Sequence, residues 1–262
     1  MKKNIDFYYF SGTGNTMLVA RKMTEIFQEE GYIVNLEKME ISESSEVNTE
    51  HTIGLGFPVA ILSTYNLVWN FIQSLPEVQG TEIFMVDTMG GYSGGLVGPL
   101  RAILERKGYQ PIGACEIIMP VNIFYIQNDK TNREKVKKGL EIAEKYAKAL
   151  IDGRSRWGRV PFFSDALNIF SKAGIKLTTI DLHQKYFKFR TNEVLCNKCG
   201  ICAEICPVGN IMFDEYPVSG NKCEYCMRCV SMCPIGAIRS LFTYNGKTYS
   251  AVKAKDFIKT DF

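Results

Sequence analysis

Two stretches of this chain carry the same cysteine spacing, and nothing else in the sequence limits its fold so tightly. The first places Cys196, Cys199, Cys202 and Cys206 before Pro207; the second places Cys223, Cys226, Cys229 and Cys233 before Pro234. Both read C-x2-C-x2-C-x3-C-P, and each cysteine recurs 27 residues on. The copy extends to Gly209 and Gly236, and to Ile211 and Ile238, so an internal duplication is the natural explanation. Of nine cysteines only Cys115 stands apart. No apolar stretch ending in a small-residue cleavage site follows Met1, so a cytoplasmic protein is expected, where such density points to metal or catalysis before disulfides.

The spacing suits one kind of metal site. Three thiolates separated by two residues wrap onto three corners of a cubane, and the fourth, held by a Cys-Pro turn, reaches a second cluster. Cys196, Cys199, Cys202 and Cys233 are therefore expected to hold one [4Fe–4S] cluster, and Cys223, Cys226, Cys229 and Cys206 the other. Crossed ligation sets the clusters side by side, close enough for electrons to pass between them. Zinc ribbons also use C-x2-C pairs, but zinc has no use for a duplicated run of four ending in Cys-Pro. Residues 190 to 240 resemble the bacterial two-cluster ferredoxins.

At 262 residues the chain is comfortable for two domains of roughly 100–200 residues each. The first part alternates strands with helices, as in a parallel sheet covered on both faces. Strands are expected at Ile5 to Phe10, Tyr32 to Leu36, His51 to Phe57, Glu82 to Asp87 and Ile112 to Met119. Helices are expected at Thr16 to Glu30, Thr64 to Leu75, Leu96 to Lys107 and Thr131 to Ile151, with the acidic stretch 37–50 a short helix or mostly loop. The expected division is 1–152 for the α/β domain, 153–189 for a bridge, and 190–262 for a small α+β cluster domain and tail. The bridge carries Phe162, Phe163, Leu167 and Phe170, which read as packing between the domains or as a docking face for an acidic partner.

A net charge of +3 gives no reason to expect nucleic acid, and no apolar run of about 18 residues or more suggests a membrane span. Cys115 inside strand five reads as a buried thiol, and Trp69 as core. Neither His51 nor His183 has an acid or nucleophile at a readable spacing.

After strand one comes Ser11-Gly12-Thr13-Gly14-Asn15-Thr16, opening directly into a helix. Hydroxyls and backbone N–H groups at a helix N-terminus can surround a phosphate without a lysine or arginine. A nucleotide P-loop needs Gly-Lys-Ser/Thr, and Asn15 stands where the lysine would be. A dinucleotide loop needs a third glycine, and Met17 stands there.

Phe10 to Thr16 resembles the FMN-phosphate loop of flavodoxins, which implies a doubly wound, five-stranded parallel sheet with FMN at the switch between strands one and three. The loops after strands three and four are similar to the two that sandwich the flavin ring. They supply Phe57, Pro58, Val59 and Ala60, and Thr88, Met89, Gly90, Gly91, Tyr92, Ser93 and Gly94. Tyr92 stacks on the ring or is an ordinary half-buried loop tyrosine. Related fusion proteins tend to carry an aromatic near position 60, where this chain has Ala60, so Phe57 or Tyr65 would have to cover that face. Taken whole, the order of motifs resembles the flavodoxin–ferredoxin fusion family of anaerobes, the EFR-type ferrodoxins. That resemblance implies an electron-transfer protein with FMN and two [4Fe–4S] clusters, redox partner proteins and a possible small-molecule electron acceptor. Two other readings stay open. One is a flavin-dependent reductase with a substrate cavity lined by Ala60, Leu62 and Tyr92. The other is a ferredoxin whose first domain serves only for docking.

Overall fold

The computed structural model describes residues 1–60, 62–93, 95–158, 188–243 and 246–258. Five parallel strands, β1 (Asn4–Tyr9), β2 (Ile33–Lys38), β3 (Thr52–Pro58), β4 (Glu82–Met89) and β5 (Gln110–Ile118), lie in the order β2-β1-β3-β4-β5. The three inner strands are almost continuously buried apolar runs, as expected where helices cover both faces. Edge strand β2 instead alternates exposed and half-buried residues. Helices α1 (Asn15–Glu29) and α4 (Asp129–Ile151) cover one face, where Phe7, Phe84, Met23, Ala143 and Leu150 pack together. Helices α2 (Asn66–Ser74) and α3 (Val97–Arg106) cover the other, around Ile53, Phe57, Met85, Val68 and Leu100.

Residues 37–50 contain two single 3₁₀ turns, Met39–Ile41 and Ser44–Glu46, in place of a fifth crossover helix. Helix α4 starts two residues before the expected Thr131, because Asn128 caps it by accepting a hydrogen bond from the Thr131 N–H at 2.9 Å.

The cysteine-rich part is small and loop-rich. Strands β6 (Arg190–Thr191) and β9 (Ile238–Arg239) pair antiparallel, as do β7 (Ile211–Phe213) and β8 (Pro217–Ser219). Two single-turn helices, α5 (Ile201–Glu204) and α6 (Arg228–Ser231), stand at corresponding places in the two cysteine runs. The two parts share their cores: Ile205, Met232 and Phe257 join the cluster over α1 and α4, and Cys226 joins the cluster over α2 and α3. Of the bridge, Trp157 is buried and donates its indole N–H to the Val97 carbonyl at 2.9 Å. Phe162, Phe163, Leu167 and Phe170 lie outside the described residues. Among the described residues no helix is long and apolar enough to cross a membrane.

Candidate metal and cofactor sites

The two cysteine runs fold alike because they share a backbone device. Lys198 and Gly200 in the first, Tyr225 and Met227 in the second, all have positive φ, between 53° and 78°. These left-handed residues curl each run so that its first three cysteines face inward. The fourth cysteine of each run accepts an N–H from four residues on: Asn210 N to Cys206 Sγ and Ala237 N to Cys233 Sγ, both 3.2 Å.

Two cavities result, and each draws cysteines from both runs. Cys196, Cys199, Cys202 and Cys233 line one of ≈ 300 Å³, walled by Phe213, Pro217 and Ile235. Cys206, Cys223, Cys226 and Cys229 line the other, of ≈ 490 Å³, walled by Phe189, Ile211 and Val230. Among the described residues no three His, Cys, Asp or Glu side chains converge as on a single metal ion. Sulfurs spread around a cavity suit a cubane, whereas zinc holds its thiolates at about 2.3 Å from one point. Burial pushes the Cys202 thiol up to about 11 and Cys226 to about 12, and raises Cys223 and Cys229 as well. A bound cation is what reverses this and yields thiolates in so dry a site.

The loop expected to bind phosphate sits where β1 feeds α1. Gly14 takes φ 103° as the N-cap of α1, and a Cβ there would also strike Val252 at 2.6 Å. Ser11 Oγ accepts the N–H of Gly14 at 3.1 Å and of Met17 at 3.4 Å, which leaves its own proton to donate. Thr13 Oγ1 accepts from Asn122 Nδ2 at 3.1 Å and is likewise left with a proton. Thr16 and Thr88 share a 2.8 Å hydroxyl contact. The first-turn N–H groups of α1 have no intrahelical acceptor and supply further donors. Hydroxyl protons, free N–H groups and a helix N-terminus fit a phosphate in an uncharged loop.

Around this loop lies a cavity of ≈ 380 Å³ lined by Ser11, Gly12, Thr13, Asn15, Thr16, Pro58, Val59, Thr88 and Met89, together with Tyr65, Pro120 and Asn122. Nine of the residues expected from the sequence thus come together. Gly14 stays within the loop as the N-cap of α1, and the others stand elsewhere. Phe57 is fully buried in the core beneath α2 and α3, because its side chain alternates away from the cavity along β3. Ala60 forms an isolated bridge with Ser63. Gly90, Gly91, Tyr92 and Ser93 do not line the cavity; Tyr92 is 57% exposed, and Gly94 is outside the described residues. Leu62 is exposed too, and neither it nor Ala60 lines this cavity. Tyr65 is the aromatic at the cavity wall, its ring 5.2 Å from Phe10. Burial raises its phenol, and Cys226 and Glu224 push it further in the same direction.

The second cysteine run is pressed against this loop. A Cβ on Gly12 would lie 2.4 Å from the carbonyl oxygen of Cys226, so only glycine lets the two backbones meet. Asn66 N, at the start of α2, donates to Glu224 Oε2 at 3.0 Å, so a carboxylate of the cysteine run caps a helix of the sheet domain. Arg228, 2% exposed, donates to the carbonyls of Ser11 at 2.6 Å and Ile205 at 3.0 Å, and to Glu40 Oε1 at 2.8 Å. Downstream, Ala251 N donates to the Thr13 carbonyl at 2.7 Å and Tyr249 O–H to Asn15 Oδ1 at 3.1 Å. None of these partners was expected from the sequence. One signal could have found two of them: Glu224 and Arg228 occupy positions where the second copy departs from the first, which carries Asn197 and Ile201 there.

Residues 195–237 match the family model of the 4Fe-4S dicluster domain. No curated protein matches the chain. Among solved structures, the chain is similar to a flavodoxin from the domain Archaea (18% identity, 55% of this chain and 99% of that one, TM-score 0.39). It is also similar to Megasphaera elsdenii flavodoxin (22%, 54% and 98%, TM-score 0.40) and to flavodoxin 2 from Bacillus cereus (17%, 57% and 98%, TM-score 0.45). The fold assignment rests on the strand order itself, which is that of the flavodoxin-like doubly wound sheets. This chain thus joins a sheet domain of flavodoxin-like topology to a 4Fe-4S dicluster domain.

Proposed function

We propose that the chain is an electron-transfer flavo-iron–sulfur protein that relays electrons between FMN and two [4Fe–4S] clusters. The observation that carries this reading is the contact of Cys226 with Gly12, which sets a cysteine-lined cavity directly behind the phosphate loop. Two such sites without a shared purpose would have no reason to abut. When bound, FMN exchanges electrons in pairs or singly and each cluster carries one, so together they connect one- and two-electron partners.

The chain's own residues do the rest. Ser11 and Thr13 hydroxyls, with the first-turn N–H groups of α1, bind the phosphate, and Asn122 orients Thr13 for it. Pro58, Val59, Met89 and Tyr65 would wall the ring-binding part of the cavity. Cys196, Cys199, Cys202 and Cys233 hold the outer cluster, and Cys206, Cys223, Cys226 and Cys229 the inner one. Apolar walls around both sets limit solvent access, which together with N–H···S bonds sets the cluster potentials. Donor and acceptor are redox partner proteins.

Anaerobic purification with flavin, iron and sulfide measured together tests the reading. About one FMN, eight irons and eight sulfides per chain are expected. Stoichiometric zinc with little sulfide, or clusters without flavin, would refute it. In the intact protein, flavin reduction after cluster reduction should proceed at a rate independent of protein concentration.

A further inference from the structure

The two cysteine runs superpose in sequence at every ligand, but the residue before the third cysteine differs: Ile201 in the first, Arg228 in the second. The guanidinium of Arg228 is deep inside the molecule, its centre 4.1 Å from the Phe257 ring centroid and 5.5 Å from that of Phe10. Every covalent and hydrogen-bonded neighbour it has on the cysteine side belongs to one set. Arg228 precedes Cys229, follows Cys226 by two residues, and holds the carbonyl of Ile205, which precedes Cys206. On its far side it holds the Ser11 carbonyl and Glu40, from the 3₁₀ turn after β2.

Arg228 and Glu40 form a buried ion pair whose cationic end is the one bonded to the cysteine runs. Glu40 accepts through Oε1 alone; Oε2 and the Arg228 Nε are both buried and have no partner among the described residues. Glu40 belongs to the 3₁₀ turn after β2, whereas Arg228 is itself part of the second cysteine run.

We propose that Arg228 sets the potential of the inner cluster, making it more readily reduced than the outer one, so that an electron entering the pair settles beside the flavin. The proposal rests on the cluster reading above. The physics is Coulombic: reduction adds one electron, and hence one negative charge, to an already anionic cluster–thiolate unit. A buried cation stabilises that added charge in a medium where screening is weak. The outer set has Ile201 at the equivalent place, and its nearby cation, Lys198, is exposed to solvent and salt.

The test is a dithionite redox titration of the anaerobic holoprotein followed by electron paramagnetic resonance, on wild type, Arg228→Gln, Arg228→Lys and Glu40→Gln. Arg228→Gln should move one cluster midpoint to lower potential and leave the other in place. Glu40→Gln, which strips the counter-charge, should move the same midpoint upward. Arg228→Lys should stay near wild type. Shifts of opposite sign on one cluster are a signature that loss of packing alone does not give. If Arg228→Gln fails to assemble, the upward shift in Glu40→Gln decides. Unmoved midpoints in Glu40→Gln, equal movement of both clusters, or movement in the same direction for both charge-removing variants would overturn the proposal. The wild-type iron and sulfide count separates the two claims. Fewer than two clusters overturns the reading and the proposal together; two clusters with unmoved midpoints overturns the proposal alone.

Discussion

The first and second cysteine runs have one spacing, matching single-turn helices and the same left-handed backbone positions, yet they live in different surroundings. Around the first, residues 193–195 and 197–199 are exposed, Val194 at 95%. In the second, Cys226, Met227 and Arg228 are buried against the phosphate loop and the start of α2. The two runs share every ligand position and differ in the residues between the ligands. Where the first run has Asn197 the second has Glu224, which caps α2, and where the first has Ile201 the second has Arg228, which bonds the Ser11 carbonyl and Glu40. Ligand spacing alone tells which metal centre forms. The residues between the ligands tell which surface it docks to.

Breaking the ligand sets gives the largest effect. If each cluster takes its fourth thiolate from the other run, Cys206→Ala with Cys226→Ala removes one cluster and leaves about four irons. Cys206→Ala with Cys202→Ala strikes both clusters and leaves almost none. Iron and sulfide analysis of the two double variants checks this, and the reverse ranking would mean that each run serves its own cluster.

Exposure sharpens the contrast next. A chelator added to the holoprotein should remove iron in two phases, with roughly half of the iron leaving early, because Cys199 is exposed and Cys226 is buried. Spectral monitoring of each cluster tests the order; simultaneous loss would show that the inner set is no better protected.

The docking contact comes third. Gly12→Ala places a methyl carbon against the Cys226 carbonyl and should cost about 1–3 kcal/mol, the usual range for overpacking. A thermal or denaturant melt measures it, and a near-neutral result would mean that the two parts part easily.

The smallest effect isolates one substitution between the copies. Glu224→Ala removes the cap of α2 and should cost about 1 kcal/mol. Asn197→Ala, at the equivalent exposed position, should stay within about 0.5 kcal/mol of wild type. Equal costs would mean that the cap contributes nothing to docking.

Much of the fold was legible along the chain. The buried runs of β1, β3 and β4 and the amphipathic α1 and α4 read directly as a covered parallel sheet, because periodicity reports burial. The loop from Ser11 to Thr16 was legible as one cavity wall because its residues are contiguous. The rest of the cavity wall was legible only in part: Pro58, Val59, Thr88 and Met89 line the cavity, but Phe57 and Tyr92 do not, and Asn122 does. Loop residues past a strand end carry no periodic signal, so side-chain direction there is set by packing.

The sequence by itself determined the ligand types, their number and their spacing, because cluster and phosphate loops are built from residues a few positions apart and need only local backbone geometry. Docking of the two parts was decided by the tertiary structure. Glu224 reaches Asn66 across 158 positions, Arg228 reaches Glu40 across 188 and Ser11 across 217. At such separations no spacing rule links the partners. Two surfaces must first come together, and only then does a buried arginine find its carbonyls and an inner cavity become distinct from an outer one.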